Sequence, residues 1–199
     1  MLTTAVGPSF AAFALEHGVS ADAMRSILEE AYADHGSDSL VARLELGQAT
    51  EREFEAWLAS RLSEGLDEPL EAAGITAKLF AGSLPDEAMI EAVRRAHDAG
   101  VRTGLVSNSW GGHLYDADLM DELFDAVVIS GRVGLRKPDP RIYAMAAEMI
   151  GVEPSACVFV DDLSQNADGA KAAGMEAIVH RNAEGTLPRL EALLGVALR

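Results

Sequence analysis

The sequence predicts an α/β protein with a three-layer parallel sheet and a separate all-helical domain. Two observations support this fold class: residues 9–82 carry only helical patterns, and from about residue 84 strand patterns alternate with helical ones. Alternation of this kind is typical of a parallel sheet that helices cover on both faces. We therefore expect a helical domain over residues 9–82 and an α/β domain over residues 83–199.

Two amphipathic stretches define the helical domain. Residues 20–36 place an apolar stripe on one helical face, made of Met24, Ile27, Leu28, Ala31 and Tyr32. The second stretch begins with Thr50 and Glu53, which have the spacing of a capping box. Its stripe consists of Phe54, Trp57, Leu58 and Leu62. Stripes at this spacing predict that helices pack on helices.

Strands and helices alternate through the second domain. Pro85 and Gly100 mark the start and the end of its first helix, and the segment VRTGLVSNS is typical of a strand followed by a turn. The later elements are a helix over 114–123, a strand over 126–129, a helix over 140–150, a strand ending at residue 160, a helix over 167–173, a strand within 176–180 and a helix from about 187. Ligands of parallel sheets bind at the carboxyl ends of the strands, so the residues that follow each strand are candidates for a site.

The chain is strongly acidic and carries one cysteine. Its net charge of −16, from 32 acidic and 16 basic residues, is a poor match for nucleic acid or for an anionic membrane. With Cys157 as its one cysteine, the sequence cannot form an internal disulfide, which favours a reducing, cytoplasmic location. Cys157 lies in an apolar run, and this predicts that its side chain packs in the core. No apolar stretch reaches membrane-spanning length, and the first residues lack the basic region of a signal peptide.

Polar residues follow three of the predicted strands. Ser107 and Asn108 follow the first strand, Lys137 lies in the loop GLRKPDPRIY after the second, and the pair Asp161 and Asp162 follows the third. Adjacent carboxylates at the end of a buried strand repel each other and need a positive partner. Lys137 and Mg²⁺ are the candidates, because Mg²⁺ prefers carboxylate, water and phosphate oxygens. A hydroxyl, an amide, an ammonium group and Mg²⁺ around one point favour a phosphoryl-binding site.

Each of these residues also has a purely structural interpretation. Ser107 and Asn108 fit an ordinary turn after a strand, and Lys137 fits a solvated base beside prolines. Asp162 or Ser164 fits the N-cap of the helix that follows. The order of the three segments, each at its own strand end, favours the phosphoryl site.

The segments GLVSNSW, GLRKPDPRIY and VFVDDLSQNADGAKAAGM resemble the second, third and fourth motifs of the haloacid dehalogenase-like (HAD) hydrolase superfamily. The helical residues resemble the inserted cap of the subfamily that includes the phosphatase domain of soluble epoxide hydrolase. The resemblance implies a Rossmann-like core and a Mg²⁺-dependent phosphatase of small phosphate monoesters. It implies that Ser107 and Lys137 contact the phosphoryl group and that Asn108 shapes the site. Asp162, with Asp161 nearby, holds the Mg²⁺ in this interpretation.

One part of the family pattern has no counterpart in the sequence. The family's reaction starts from an Asp that ends a first strand, attacks phosphorus and forms an aspartyl-phosphate, which water then cleaves. The sequence begins MLTTAVGPSF, and its first Asp is Asp22, within the predicted cap. Leu2, Thr3 and Thr4 resemble the tail of the nucleophile loop, so we interpret residues 1–8 as its remnant. We therefore expect this chain to be truncated at its N-terminus and to lack the first strand and the nucleophile.

The missing strand would lie in the middle of the sheet. Its neighbours would be the strands that end at Ser107 and Val160, and each of them would then keep one unpaired edge. The two edges can pair with each other, accept a second chain in a homodimer, or lower the stability of the fold.

Other functions fit parts of the pattern. A non-catalytic HAD-fold binding protein fits the missing nucleophile, and haloacid dehalogenation uses the same nucleophile without a metal. An esterase built on Ser109, Asp161 and His180 follows the hydrolase order but leaves Lys137 without a role. A phosphoacceptor receiver domain places its acid pair after the first strand, whereas here the pair follows the Lys. The expected partner is therefore a small phosphorylated substrate, with no nucleic acid and no membrane.

Overall fold

The chain forms two compact units. The computed structural model describes residues 2–4, 6–33, 39–110 and 117–199. Among the described residues, one unit comprises residues 6–33, 39–84, 109 and 110 and is helical, and the other comprises residues 2–4, 85–108 and 117–199 and is α/β. Ser109 and Trp110 group with the helical unit, although the sequence predicted an α/β domain over residues 83–199.

Five helices make up the described part of the helical unit: α1 (Gly7–Glu16), α2 (Ala21–Ala33), α3 (Leu40–Glu45), α4 (Glu51–Leu62) and α5 (Ile75–Phe80). The predicted capping box is confirmed, because Thr50 Oγ1 accepts from the Glu53 amide and the Glu53 carboxylate accepts from the Thr50 amide. The predicted stripe residues Phe54, Leu58 and Leu62 are buried, as are Met24 and Ile27. The side chains of residues 28, 31 and 32, and all of residues 34–36, lie outside the described part of the chain.

The α/β unit alternates strands and helices, as predicted. Its elements are α6 (Glu87–Asp98), β1 (Gly104–Ser107), α7 (Ala117–Leu123), β2 (Ala126–Ile129), α8 (Ser130–Val133), α9 (Pro140–Ile150), β3 (Val158–Asp161), α10 (Ser164–Ala172), β4 (Glu176–Val179) and α11 (Ala183–Leu194). The predicted bounds of β2 and α9 are confirmed, and residues 114–116 of the predicted α7 lie outside the described residues.

Two helices of the α/β unit begin earlier than predicted. α10 begins at Ser164 instead of residue 167, and α11 begins at Ala183 instead of about residue 187. The side chain of Asn182 accepts from the Gly185 amide and caps α11 at this earlier start. Pro188 lies inside the helix, so α11 lacks one regular backbone hydrogen bond at that position.

Both pairs of strands in the described residues are parallel, as expected, and an isolated antiparallel bridge joins Thr3 to Pro85. β1 pairs with β2, with Ser107 opposite Ile129, and β3 pairs with β4, with Asp161 opposite Val179. The two pairs remain separate two-stranded sheets, so β1 and β3 do not pair with each other in the described part of the chain. The sequence left three outcomes for the open edges of the strands that end at Ser107 and Val160. The outcome in which these two edges pair with each other is therefore wrong.

Apolar side chains cover both faces of the strands. On one face, Val106 and Val128 pack with Ile142 and Tyr143 of α9. On the other face, Ile178 packs with Met89 of α6 and with α11 residues, including Leu187 and Leu190. Successive strand residues alternate between faces, so this arrangement gives the three layers that the sequence predicts.

An apolar cavity of about 700 Å³ lies within the α/β unit. Side chains of both strand pairs line it, including Leu105 of β1 and Val158 and Val160 of β3, together with residues of α6, α9 and α11. Leu2 and Thr3 also line it, and Ser107, Lys137 and Asp161 contribute polar atoms. We call this space the sheet cavity.

No helix among the described residues is long and apolar enough to cross a membrane.

Candidate functional site

The loop that carries Lys137 is bound to the end of β1 by Asn108. The Asn108 side chain donates from Nδ2 to the Lys137 carbonyl oxygen at 3.1 Å and accepts at Oδ1 from the Lys137 amide at 2.8 Å. One side-chain amide thus satisfies both backbone groups of Lys137, in the way a neighbouring strand would. Asn108 therefore fixes the backbone from which the lysine side chain extends.

The Lys137 ammonium group forms a buried ion pair with Asp161. Nζ lies 2.7 Å from Asp161 Oδ2, and the two side chains are 11% and 6% exposed. Nζ also lies 5.6 Å from the centre of the Phe159 ring. The interpretation of Lys137 as a solvated base is therefore wrong, and the lysine is the positive partner that the sequence required.

The second oxygen of Asp161 is also bound. Oδ1 accepts from the Leu163 amide at 2.9 Å and from Asn166 Nδ2 at 2.9 Å. Burial pushes the pKa of Asp161 upward, but Lys137, the Leu163 amide and Asn166 outweigh burial and hold this pKa below its usual value. Asp161 is thus an ionised carboxylate held by three donors.

Asp162 lies in a different environment from Asp161. Burial raises the pKa of Asp162, and the negative charge of Asp161 raises it further. A cation at this carboxylate would offset both effects. The alternative in which Asp162 or Ser164 is the N-cap of α10 is wrong, because the N-cap residue of that helix is Leu163.

The donor set fits Mg²⁺ only in part. The described residues hold no group of three or more His, Cys, Asp or Glu side chains placed to bind a metal. Mg²⁺ nevertheless takes one or two carboxylates and completes its coordination with water and phosphate oxygens. Since both oxygens of Asp161 are engaged, Asp162 is the better candidate ligand, and a metal contact by Asp161 stays a prediction.

Ser107 ends β1 beside this network. Its Oγ lies 3.4 Å from the Asn108 carbonyl oxygen, at the long end of the hydrogen-bond range, and it lines the sheet cavity with Lys137 and Asp161. The structure thus brings together Ser107, Asn108, Lys137 and Asp161, each as a side chain at the carboxyl edge of the strands.

Sequence reasoning missed two residues that shape the site. Asn166 binds Asp161 from the first turn of α10, and its place five residues after that acid was a signal that could have been used. Gly169 is the second: a Cβ there would lie 2.4 Å from the Pro138 carbonyl oxygen. The glycine therefore lets α10 pack directly on the loop that carries Lys137.

The arrangement of His180 disagrees with the esterase alternative. Its ring Nδ1 lies 3.0 Å from Thr186 Oγ1, and its Nε2 lies 3.8 Å from Asp86 Oδ2. The Asp161 carboxylate binds Lys137 and Asn166 instead of the imidazole. An esterase triad needs an acid that orients its histidine, and Asp161 does not fill that role.

Comparison with known proteins connects this geometry to a family. The family model described as haloacid dehalogenase-like hydrolase matches residues 4–174. The chain is 30% identical over 192 residues to bifunctional epoxide hydrolase 2 of Sus scrofa, covering 87% of this chain and 34% of that protein. It is 35% identical over 127 residues to phosphatase MT3486 of Mycobacterium tuberculosis, covering 63% of this chain and 58% of that protein. The chain thus spans only about a third and three-fifths of these relatives' lengths.

A solved structure supports the fold assignment. HAD family enzyme BT-2542 of Bacteroides thetaiotaomicron, in complex with magnesium and inorganic phosphate, superposes with a TM-score of 0.61. The match covers 90% of this chain and 89% of that one at 17% sequence identity, a level that speaks for the fold alone.

Proposed function

The chain belongs to the haloacid dehalogenase-like hydrolases, and we propose that it is a Mg²⁺-dependent phosphatase of small phosphate monoesters. The single observation that carries the proposal is the buried pair of Lys137 and Asp161 beside Ser107. A fixed ammonium group and a hydroxyl at one strand edge suit the equatorial oxygens of a phosphoryl group. The similarity to phosphatase MT3486 supports the same reaction class.

Each residue of the site has a role in this proposal. Lys137 and Ser107 bind the phosphoryl oxygens, and Asn108 holds the lysine loop in place through its two hydrogen bonds. Asp161 keeps the ammonium group oriented through its hydrogen bond. Asp162 holds Mg²⁺, which when bound neutralises negative charge on the phosphoryl group.

The nucleophile must come from a segment that reaches this edge of the sheet. The sheet cavity lies between β1 and β3, is apolar, and ends at Ser107 and Asp161. An extended strand in this cavity would pair with both open edges and present its last residue to the phosphoryl site. Because Leu2 lines the same cavity, a strand joined to the N-terminal side of Leu2 would have the shortest path into it.

The proposed chemistry needs an Asp at the end of that strand. A carboxylate oxygen of this Asp attacks phosphorus, the bond from phosphorus to the ester oxygen breaks, and the leaving alkoxide takes a proton from solvent water. A second water then attacks the aspartyl-phosphate, gives up a proton to the solvent and releases inorganic phosphate, which restores the carboxylate. Lys137 and Ser107 act on the phosphoryl oxygens in both steps, since the charge on these oxygens is similar.

The test compares this chain with a version extended by its upstream in-frame residues. With p-nitrophenyl phosphate and Mg²⁺ we expect turnover by the extended chain only, and its loss on adding a chelator. In the extended chain, Lys137→Met should reduce kcat/KM at least about a hundredfold. Asp162→Asn should raise the Mg²⁺ concentration that gives half-maximal turnover. Asp168→Asn, on the exposed side of α10, should change neither this concentration nor kcat/KM. Turnover that survives both the chelator and Lys137→Met would overturn the proposal.

The strand assignment has its own test. An upstream reading frame without an apolar strand that ends in Asp would overturn it. A dimeric mass for this chain, with a monomeric mass for the extended chain, would show instead that a second copy fills the cavity.

A non-catalytic binding role is the second candidate. The family's nucleophilic Asp lies at the end of the first strand, whereas the first Asp of this sequence, Asp22, lies in α2 of the helical unit. This difference favours the binding role. Binding of inorganic phosphate with Mg²⁺ by both chains, without turnover by either, would support this candidate over the phosphatase.

A further inference from the structure

Tyr143 is the largest fully buried side chain among the described residues. It lies in α9, and its hydroxyl donates to the Asn166 carbonyl oxygen at 2.7 Å. A phenol hydroxyl inside an apolar core needs an acceptor, because it has lost its contact with water. This hydrogen bond therefore joins α9 to the first turn of α10.

The first turn of α10 begins after an apolar N-cap residue. The side chain of that residue, Leu163, has no atom that can accept a hydrogen bond from a helix amide. Contacts from outside the helix therefore stabilise this turn, and the Tyr143 hydroxyl supplies one of them at the Asn166 backbone. From this fixed backbone, Asn166 Nδ2 donates to Asp161 Oδ1 at 2.9 Å, and Asn166 is only 4% exposed.

The ring of Tyr143 lies near the other partner of the buried ion pair. It meets the Phe159 ring edge-on, with the ring centres 5.0 Å apart and an angle of 85° between the planes. Phe159 lies in β3, and the centre of its ring is 5.6 Å from Lys137 Nζ. Tyr143 thus contacts one residue that binds Asp161 and a second that lies beside the Lys137 ammonium group.

We propose that Tyr143 is a positioning residue, whose hydroxyl holds the Asn166 side chain on Asp161 and so orients the buried pair of Asp161 and Lys137. All of these residues belong to the α/β unit. The inference goes beyond the proposed function, and its test follows hydrogen bonds without any turnover. It can therefore fail while the phosphatase proposal stands, and the phosphatase proposal can fail while this one stands.

The test uses NMR to measure how fast two groups exchange protons with water, the Asn166 side-chain amide and the Lys137 ammonium group. Both groups donate to Asp161. In Tyr143→Phe, which keeps the ring on Phe159 and loses only the hydroxyl, we expect the Asn166 amide to exchange about tenfold faster, the ratio for one lost hydrogen bond. The ammonium group should also exchange faster, by a smaller factor, because its own bond to Asp161 Oδ2 is kept. Asn166→Ala sets the upper limit at Lys137, since it removes the side chain that binds Asp161 Oδ1.

Ile142→Val is the matched control. Ile142 precedes Tyr143 in α9 and is fully buried in the same core, so its truncation weakens the packing without removing the hydroxyl. We expect both exchange rates to stay at their wild-type values. An unchanged rate at either group in Tyr143→Phe would overturn the proposal. An equal increase in Ile142→Val would do so as well, because the effect would then follow general stability.

The hydroxyl proton of wild-type Tyr143 decides the outcome if Tyr143→Phe does not fold. Slow exchange of this proton with water, together with a nuclear Overhauser effect to Asn166, would support the proposal. Fast exchange would overturn it, because the hydroxyl would then not be held on the Asn166 carbonyl oxygen.

Discussion

Lys137 Nζ and Asp161 Oδ2 lie 2.7 Å apart, with both side chains almost fully removed from solvent. A buried ion pair adds little to the free energy of unfolding compared with two apolar residues in its place. The loss of one partner is costly, however, because it leaves an isolated charge in the interior. The pair therefore ties the stability of the α/β unit to the charge that the phosphoryl site requires.

Lys137→Met should destabilise the α/β unit by about 3 kcal/mol, because Asp161 then remains buried without its cation. Asp161→Asn should also destabilise it, since the ammonium group is left without its carboxylate. The double variant should lose less than the sum of the two single losses, which is the signature of a direct interaction. Urea denaturation followed by far-UV circular dichroism gives the three values. Additive losses would show that the pair is not formed in solution.

Gly169→Ala should destabilise the chain by about 2 kcal/mol, although alanine favours helices. A Cβ at this position would lie 2.4 Å from the Pro138 carbonyl oxygen and 2.8 Å from the Pro138 Cβ, so α10 or the lysine loop must move. The matched control is Gly7→Ala in α1, where a Cβ meets no atom within 4 Å. That change should be neutral or stabilising by up to about 1 kcal/mol. Thermal unfolding of both variants tests the contrast, and equal effects would contradict it.

The sequence was informative about the site where the signals were local. The apolar strand that ends at Asp161, and the loop carrying Lys137, could be placed from the alternation of strand and helix patterns. The buried hydrogen bond of Trp110 could not be predicted. Its hydrogen-bond partner Glu45 lies 65 residues away in the sequence, and no local pattern reports a contact of that range.

Thr76→Val should leave the stability of the helical unit unchanged or raise it by up to about 1 kcal/mol. The Thr76 hydroxyl is buried, and within the described part of the chain it has no hydrogen-bond partner. Valine has nearly the same shape and removes this unsatisfied group. Both tryptophans, Trp57 and Trp110, lie in the helical unit, so tryptophan fluorescence during urea denaturation measures the change.

Thr186→Val provides the opposite case. Thr186 is also buried, but its Oγ1 lies 3.0 Å from His180 Nδ1. Its replacement should cost about 1–2 kcal/mol, because the histidine nitrogen loses its partner in the interior. Far-UV circular dichroism, to which both units contribute, measures the change, and a loss in Thr76→Val as large as in Thr186→Val would contradict the distinction.

Asp125→Asn should remove a stabilising contribution that depends on pH. The Asp125 carboxylate accepts from the Thr103 amide at 2.8 Å and pairs with the Arg102 guanidinium group, and these contacts, the amide first, lower the pKa of Asp125. A carboxyl whose pKa is lower in the folded state stabilises the fold above its unfolded pKa of about 3.9. That contribution is lost as the pH falls through the lower folded value. Chemical denaturation at several pH values should therefore give a difference between wild type and Asp125→Asn that is complete at neutral pH and shrinks below about pH 4.

Asp168→Asn is the control for this pH dependence. Asp168 pairs with Lys171 on the solvent side of α10, where both side chains are more than half exposed. Ion pairs at such sites contribute little, so this variant should have nearly the stability of wild type. A difference for Asp125→Asn that stays constant from neutral pH to below pH 3 would show that the asparagine acts through packing. In that case the charge of Asp125 would not be the stabilising feature.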